Sequence, residues 1–295
     1  MELRQLLYLV AVVEEANFTR AAAKVHIAQP SVSAQIRSLE REVGEQLLDR
    51  SGRTVRPTQA GATLLPYARA ALAAITGGRE AIEELRGLVR GRLAVGIMAA
   101  LPSLDVAGLL ADFHRRHPAV QITLAEATSD RLLDALRTGE LDAALVGLPG
   151  SPPPGISAHP VHTEHLVLAT RPDDELAIHT TIRLSAVRDR AFIALPAGTG
   201  LRAFIETACA RAGFQPQIAF EASDPRLLAE LAAHGLGVTI LPRSIATAHS
   251  AQLHLLALTQ PTLRGRIALA WRSGGPTSPA ARRFLDHARS QLAGA

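Results

Sequence analysis

The stretch Asn17–Val43, NFTRAAAKVHIAQPSVSAQIRSLEREV, reads as two short helices joined by a tight turn, and that reading decides the N-terminal fold. Thr19 is placed to cap the first helix, its hydroxyl taking a free amide, and Arg20 to Val25 run on through the helix-favouring Ala21, Ala22 and Ala23. Gln29-Pro30 opens the second helix, with Pro30 where a missing amide costs least. Val32, Ile36, Leu39 and Val43 fall at spacings of four, three and four, so they share one inward face. The opposite face is read as carrying Ser31, Ser33, Gln35 and Arg37, short or flexible hydrogen-bonding groups of the kind that reach base edges and phosphates from a major groove. Many folds contain such a helix pair without touching nucleic acid, so its neighbours must decide.

Working outward, Gly44 stands where a C-terminal cap belongs, and Asp49-Arg50-Ser51-Gly52-Arg53-Thr54-Val55-Arg56 follows as a hairpin with Ser-Gly at its tip. Arg50, Arg53 and Arg56 cluster there, as a wing beside a recognition helix would place them to hold phosphate or enter a minor groove. The segment from Thr58, a good N-cap, through Gln59 to about Val89 is rich in Ala, Leu, Glu and Arg. Leu65, Ala68, Leu72, Ile75, Ile82 and Leu85 trace a seam for another helix, while Pro66 and Gly77-Gly78 are places to expect a bend or break.

Beyond Gly91 strands and helices alternate. Leu93–Ile97, Val120–Ala125 and Ala143–Val146 read as strands around helices at Ser103–Arg116 and Asp130–Thr138, the latter closed by Gly139. Pro152-Pro153-Pro154 interrupts the pattern. His165–Thr170, Ala191–Leu195, Gln217–Phe220 and Val238–Leu241 are strands around helices Leu201–Ala212 and Asp224–His234, and Ile267–Trp271 with helix Pro279–Leu292 closes the chain. The order suggests a parallel α/β sheet folded as two similar lobes, with the chain crossing near Ala158–Glu164 and returning near Thr259–Arg266.

The first 61 residues resemble the winged helix-turn-helix of the LysR-type transcriptional regulators, through the aromatic-Thr-Arg-Ala-Ala start at Phe18, the Gln-Pro-Ser at Gln29 and the closing Thr-x-x-Gly at Thr58. Leu48 and Pro57 depart from the family's usual Phe and Leu. The resemblance continues weakly and collinearly over the remaining length. It implies an N-terminal all-α winged helix-turn-helix over 1–58, a linker helix for dimerisation over 59–90, and a C-terminal α/β effector-binding domain over 91–295. That domain would be two-lobed and periplasmic-binding-protein-like, lobe I covering about 91–160 and 267–295, lobe II about 161–266. The implied partners are double-stranded DNA at a promoter inverted repeat, a small-molecule effector, a second copy of the chain in a homodimer or homotetramer, and RNA polymerase. Residues expected at DNA are Thr19, Arg20, Gln29, Pro30, Ser31, Ser33, Gln35, Arg37, Arg50 and Arg53.

Effectors of open α/β folds bind outside the carboxyl ends of strands, where helix N-termini offer free amides. Four loops qualify: Ala99-Ala100-Leu101, where the family often has a hydroxyl that Ala100 lacks; Thr128; Gly147-Leu148; and Gly198-Thr199. Ser223 precedes a further helix. Capping or turn geometry explains several of these residues as well as ligand contact does.

Composition fits without deciding. The chain has 295 residues, 47% of them hydrophobic, and a net charge of only +4. Its first 60 residues carry eight basic side chains and seven acidic ones, with Lys24 the sole lysine of the chain, so local arrangement must carry any electrostatic attraction to DNA. No apolar run approaches the roughly 20 residues of a membrane span, and no signal-peptide core opens the chain, so a cytoplasmic protein with no membrane partner is expected. Cys209 is single and reads as a buried structural thiol. His114, His117, His159, His162 and His165 lack metal-ligand spacing, so neither metal nor cofactor is expected. The rival reading, an enzyme or solute-binding protein with an N-terminal helical extension, finds no nucleophile elbow, P-loop or dinucleotide motif.

Overall fold

A computed structural model of the chain describes residues 1–52, 54–84, 89–98, 104–148, 150–276 and 278–292. Three helices open it: α1 (Leu3–Glu15), α2 (Phe18–Lys24) and α3 (Gln29–Val43). Asn17, not Thr19, caps α2, its Oδ1 accepting the amides of Thr19 (2.8 Å) and Arg20 (3.0 Å). Either residue type suits that position; extended backbone at Asn17 puts its carboxamide in reach, so Thr19 falls inside the helix. Pro30 sits in the first turn of α3, and Gly44 closes it in the left-handed conformation at φ 80°.

Val32, Ile36 and Leu39 are fully buried and pack with Leu9, Val12, Ala21 and Leu47. Val43, expected in the same stripe, is 43% exposed, because α3 runs one turn past the core before Gly44 ends it. The wing consists of β1 (Leu48–Asp49) antiparallel to β2 (Arg56–Pro57), and the Val55 amide fastens it to the Ala16 carbonyl at 3.0 Å.

Thr58 caps α4 (Gln59–Glu84), accepting the Gly61 amide at 3.1 Å. The helix runs unbroken through Pro66 and Gly77-Gly78, so neither place is a break, and Gly77 is buried within it. Tertiary packing outweighs the roughly 1 kcal/mol that a helical glycine costs relative to alanine. Leu65 and Ala68 join the N-terminal core, so the start of the expected seam serves its own domain; Ile75 and Ile82 are exposed at 43% and 60%. Leu85 lies outside the described residues.

The remainder is β3 (Gly91–Ile97), α5 (Val106–Arg116), β4 (Val120–Glu126), α6 (Ser129–Thr138), β5 (Ala143–Gly147), β6 (Ile156–Thr170), β7 (Thr181–Arg183), β8 (Ala191–Ala194), α7 (Gly200–Arg211), β9 (Gln217–Glu221), α8 (Pro225–Ala233), β10 (Val238–Pro242), α9 (Arg243–Ala248), β11 (His254–Thr259), β12 (Arg264–Arg272) and α10 (Pro279–Leu292). The strands line up as β4-β3-β5-β12-β6-β10-β8-β9, with β11 on β6 and β7 on β11. β3 is parallel to β4 and β5, and β8 to β9 and β10, whereas β12 and β6 run antiparallel to their neighbours.

The sheet is therefore mixed, not purely parallel; the first expected crossing lies within β6, and the second leads from β11 into β12. The first half of β6 pairs with β12 in lobe I, and its second half pairs with β10 and β11 in lobe II. Apolar clusters cover both faces of each lobe, around Phe113 and Phe284 and around Leu132 and Val146 in lobe I, and around Phe192 and Leu256 and around Leu228 and Leu241 in lobe II. Among the described residues no helix is long and apolar enough to cross a membrane.

Gly61 is buried where α4 passes the strand entering the wing, and a Cβ there would run into the Leu47 carbonyl. Backbone cannot step aside as a flexible side chain would. Gly61→Ala is expected to cost the DNA-binding unit about 1–3 kcal/mol, read by chemical denaturation, with the regulatory lobes unchanged.

Candidate nucleic-acid interface and effector cleft

The buried stripe of α3 fixes which side chains face outward. With 3.6 residues per turn, the row opposite Val32, Ile36 and Leu39 is Pro30, Ala34, Arg37 and Arg41, and all four are exposed. Gln29 and Ser31 are exposed beside it, while Ser33 and Gln35 sit half-buried on its two flanks. Ala34 and Arg41 escaped the sequence reading, although they repeat the four-three-four spacing of the apolar stripe displaced by two residues. Arg37 and Arg41 enter no ion pair among the described residues, so their charges face solvent uncompensated.

Other cations nearby are spent on the protein itself. Lys24 donates to Glu14 (3.0 Å) and Glu15 (3.1 Å), and those two hydrogen bonds raise its pKa above the ordinary lysine value. Arg20 donates to the Glu15 carbonyl and approaches its carboxylate at 3.7 Å. Arg50 donates to Glu40 at 2.7 Å and lies over the Phe18 ring. Thr19 is exposed beside Arg20. In the wing, the hydroxyl and amide of Ser51 hold the Asp49 carboxyl below its usual pKa. Arg53 lies outside the described residues.

A cavity of about 420 Å³ opens between the lobes, lined by Thr128, Gly147, Thr199 and Ser223 among the expected residues. Gly198 stands one residue beyond the lining, at φ 86° in the turn before Thr199. Ala99, Ala100 and Leu101 lie outside the described residues. Among the described residues, α6 at Ser129, α7 at Gly200 and α8 at Pro225 begin at the cavity, and α9 starts beside it with Pro242 and Ile245 on the lining.

Their hydroxyls differ in what they already do. Thr128 precedes α6 but its side chain caps nothing, and it is exposed. Thr199, 9% exposed, donates to the Pro196 carbonyl at 2.9 Å. Ser129, 7% exposed, accepts the Gly147 amide at 3.0 Å, tying α6 to the end of β5. Asp224 caps α8 through the Arg226 amide at 2.9 Å, and Ser223 is exposed beside it. Gly200 lets the two lobes approach, since a Cβ there would stand 3.3 Å from the Gly147 carbonyl.

The walls are largely apolar, with Leu148, Leu166, Leu195, Leu201, Phe204 and Ile267, and the charged groups include Glu126, Glu164, Arg226 and Arg266. Glu164 accepts the Ser244 amide of α9 at 2.9 Å. Glu164 and Arg266 escaped the sequence reading because they lie on the crossing segments, which read as connections. A mostly apolar cleft with a few convergent polar groups is the common form of a small-molecule site.

Two family models cover the chain: the bacterial regulatory helix-turn-helix protein, lysR family, over residues 3–62, and the LysR substrate binding domain over 86–293. The chain belongs to the LysR family of transcriptional regulators. This regulator is 30% identical, over its whole length and 98% of the relative's, to a hydrogen peroxide-inducible genes activator of Pectobacterium carotovorum subsp. carotovorum. A full-length OxyR variant from Pseudomonas aeruginosa superimposes with TM-score 0.77 at 27% identity, covering 98% of this chain and 95% of that one. Full-length CbnR complexed with its target DNA gives TM-score 0.60 at 26% identity, covering 98% and 99% of the two chains. The matched families are regulators, so the enzyme reading is set aside.

Cys209 of the regulator lies on α7, fully buried among Ile205, Phe192 and their neighbours. Burial, with the nearby Glu206 charge, pushes its thiol up to about 11. Since the thiolate is the nucleophile, Cys209 is expected to resist iodoacetamide at pH 8 in the native protein and to react promptly once the chain is unfolded, as mass spectrometry would read. Rapid native alkylation would contradict the burial.

Proposed function

We propose that this regulator binds an inverted-repeat promoter site as a homodimer able to pair into a homotetramer, and that a small-molecule effector between its lobes biases that binding. The observation that carries the reading is the row Pro30, Ala34, Arg37 and Arg41, exposed on a helix whose opposite side is fully buried. A rigid backing holds such a row at one depth in a major groove. In this reading Gln29, Ser31, Ser33, Gln35 and Arg37 meet bases or phosphates, Pro30 sets the approach, Ala34 meets a thymine methyl, and Arg53 in the wing reaches backbone. Ile75 and Ile82, exposed on α4, supply apolar surface for a second subunit, and two-fold pairing then matches an inverted repeat. A DNA-binding unit with a net charge of +1 gains affinity by such pairing. Contact with RNA polymerase and a cytoplasmic setting belong to the same reading.

Effector binding is assigned to the interlobe cavity, with Thr128, Gly147, Thr199 and Ser223 at its polar points. One relative is named an activator of hydrogen peroxide-inducible genes, and a thiol-based response to peroxide finds no support in Cys209, whose thiol is buried and held protonated. A metabolite-responsive switch suits the cleft better. An effector that fits one closure of the lobes best shifts their population, and α4, packed against α6 and α10, passes the change to the paired recognition helices.

Two substitutions test the two halves. Arg37→Ala removes an exposed, unpaired side chain, so stability should hold while affinity for a duplex selected from random-sequence DNA falls by about 1–3 kcal/mol in mobility-shift titration. Unchanged affinity and base preference would show that another surface docks. Thr128→Ala removes a hydroxyl that caps nothing, so the apo melting temperature should stay put. For a metabolite found by thermal-shift screening, its affinity should drop about five- to tenfold, the worth of one hydrogen bond.

A further inference from the structure

The recognition helix and the wing meet at one carboxylate. Glu40 lies on the flank of α3 with its side chain only 12% exposed. Its Oε1 accepts the backbone amides of Leu47 at 3.1 Å and Leu48 at 3.3 Å, where the chain enters the wing. Its Oε2 accepts Nη2 of Arg50 at 2.7 Å, on the far side of β1. The Arg50 guanidinium in turn lies 5.1 Å from the ring centroid of Phe18, at the start of α2. One acid thus holds the root of the wing by two amides and its first strand by an arginine, which is itself braced on the neighbouring helix.

This arrangement changes what both residues are for. An acid on a DNA-binding domain reads as a charge to be hidden from phosphate, and an arginine in a wing reads as a phosphate contact. Here the arginine's charge is matched by a nearly buried carboxylate, and one face of its planar fork is taken by an aromatic ring. A short two-stranded ribbon is marginal by itself, so its angle to α3 must come from such ties.

We propose that Glu40 is a positioning residue for DNA binding, fixing the angle between wing and recognition helix, and that Arg50 acts through Glu40 and not on phosphate. The inference rests on reading α3 and the wing as the DNA-docking surface. Its test separates the two. Glu40→Gln keeps an oxygen for the Leu47 and Leu48 amides and removes the charge that holds Arg50; Arg50→Ala removes the other partner.

In the free full-length protein, hydrogen exchange at residues 45–52 should quicken in both variants, while the circular dichroism and melting of the whole chain hold. On a duplex selected from random-sequence DNA by the wild type, each variant should lose about tenfold in affinity. The double variant should be no weaker than Arg50→Ala alone, and hydroxyl-radical protection should keep its wild-type extent, since the wing still docks once DNA has ordered it.

The decisive readout is salt. A positioning residue leaves the slope of log affinity against log salt at its wild-type value, whereas a phosphate contact lowers it by about 0.9 for every arginine removed. A shallower slope for Arg50→Ala, additive losses in the double variant, or unchanged exchange at the wing root would each overturn the positioning role. A wild-type chain that selects no duplex at all would sink the DNA-docking reading, and this role with it.

Discussion

One strand holds the regulatory half together. β6 is 15 residues long, and its backbone ladder serves two lobes in turn, β12 along Ile156–His165 and then β10 and β11 along Leu166–Thr170. Its last five residues are buried on both faces, which demands that every amide there be paired. β12 runs beside it in the opposite sense and pairs with β5 as well. Where the two strands pass between lobes, Gly265 gives room to Leu166, and the Leu166 amide bonds the Leu263 carbonyl at 2.9 Å. Gly265 and Leu166, with Glu164 and Arg266, lie on the cavity. Any change of lobe angle must therefore bend the strands on which the cleft is built and reshape the cavity.

Much of this was legible from periodicity. The stripe Val32, Ile36 and Leu39 could face only inward, and α10 falls at Pro279–Leu292, where sequence places it. Alternating strand and helix signals located most of the lobes. What escaped was set by partners distant in sequence. The first half of β6 carries His159, His162 and Glu164, too polar to read as a strand, and it becomes one because β12 arrives about a hundred residues later to pair with it. Thr19 is the cap named from sequence, and only the extended backbone at Asn17, which brings that carboxamide to the free amides, moves the helix start two residues earlier. Ser33 and Gln35 looked outward-facing by chemistry, whereas the helix places them on its flanks and turns Ala34 and Arg41 out.

Electrostatics in the N-terminal domain shows the same dependence on pairing. Eight basic and seven acidic side chains in the first 60 residues nearly cancel. In the folded domain the cancellation is uneven: Lys24, Arg20 and Arg50 are matched against Glu14, Glu15 and Glu40, leaving Arg37 and Arg41, on the outer row of α3, without an ion-pair partner among the described residues. A low net charge thus coexists with a locally cationic helix, since a Debye length near 8 Å at physiological salt lets near charges dominate distant ones.

The join between the two halves has a visible centre and a less visible substance. Arg69 of α4, with its side chain 11% exposed, donates to Glu140 beyond α6 at 2.7 Å and stands 4.0 Å from Glu14 of α1, so it touches the linker, lobe I and the DNA-binding unit together. An ion pair whose acids are 41% and 52% exposed contributes at most about 1 kcal/mol, less in salt. Allosteric couplings run to about 1–3 kcal/mol. Arg69 can set the registry of the join but cannot carry a coupling of that size alone. The remainder has to come from the packing of α4 against α6 and α10, where small displacements change apolar contact directly.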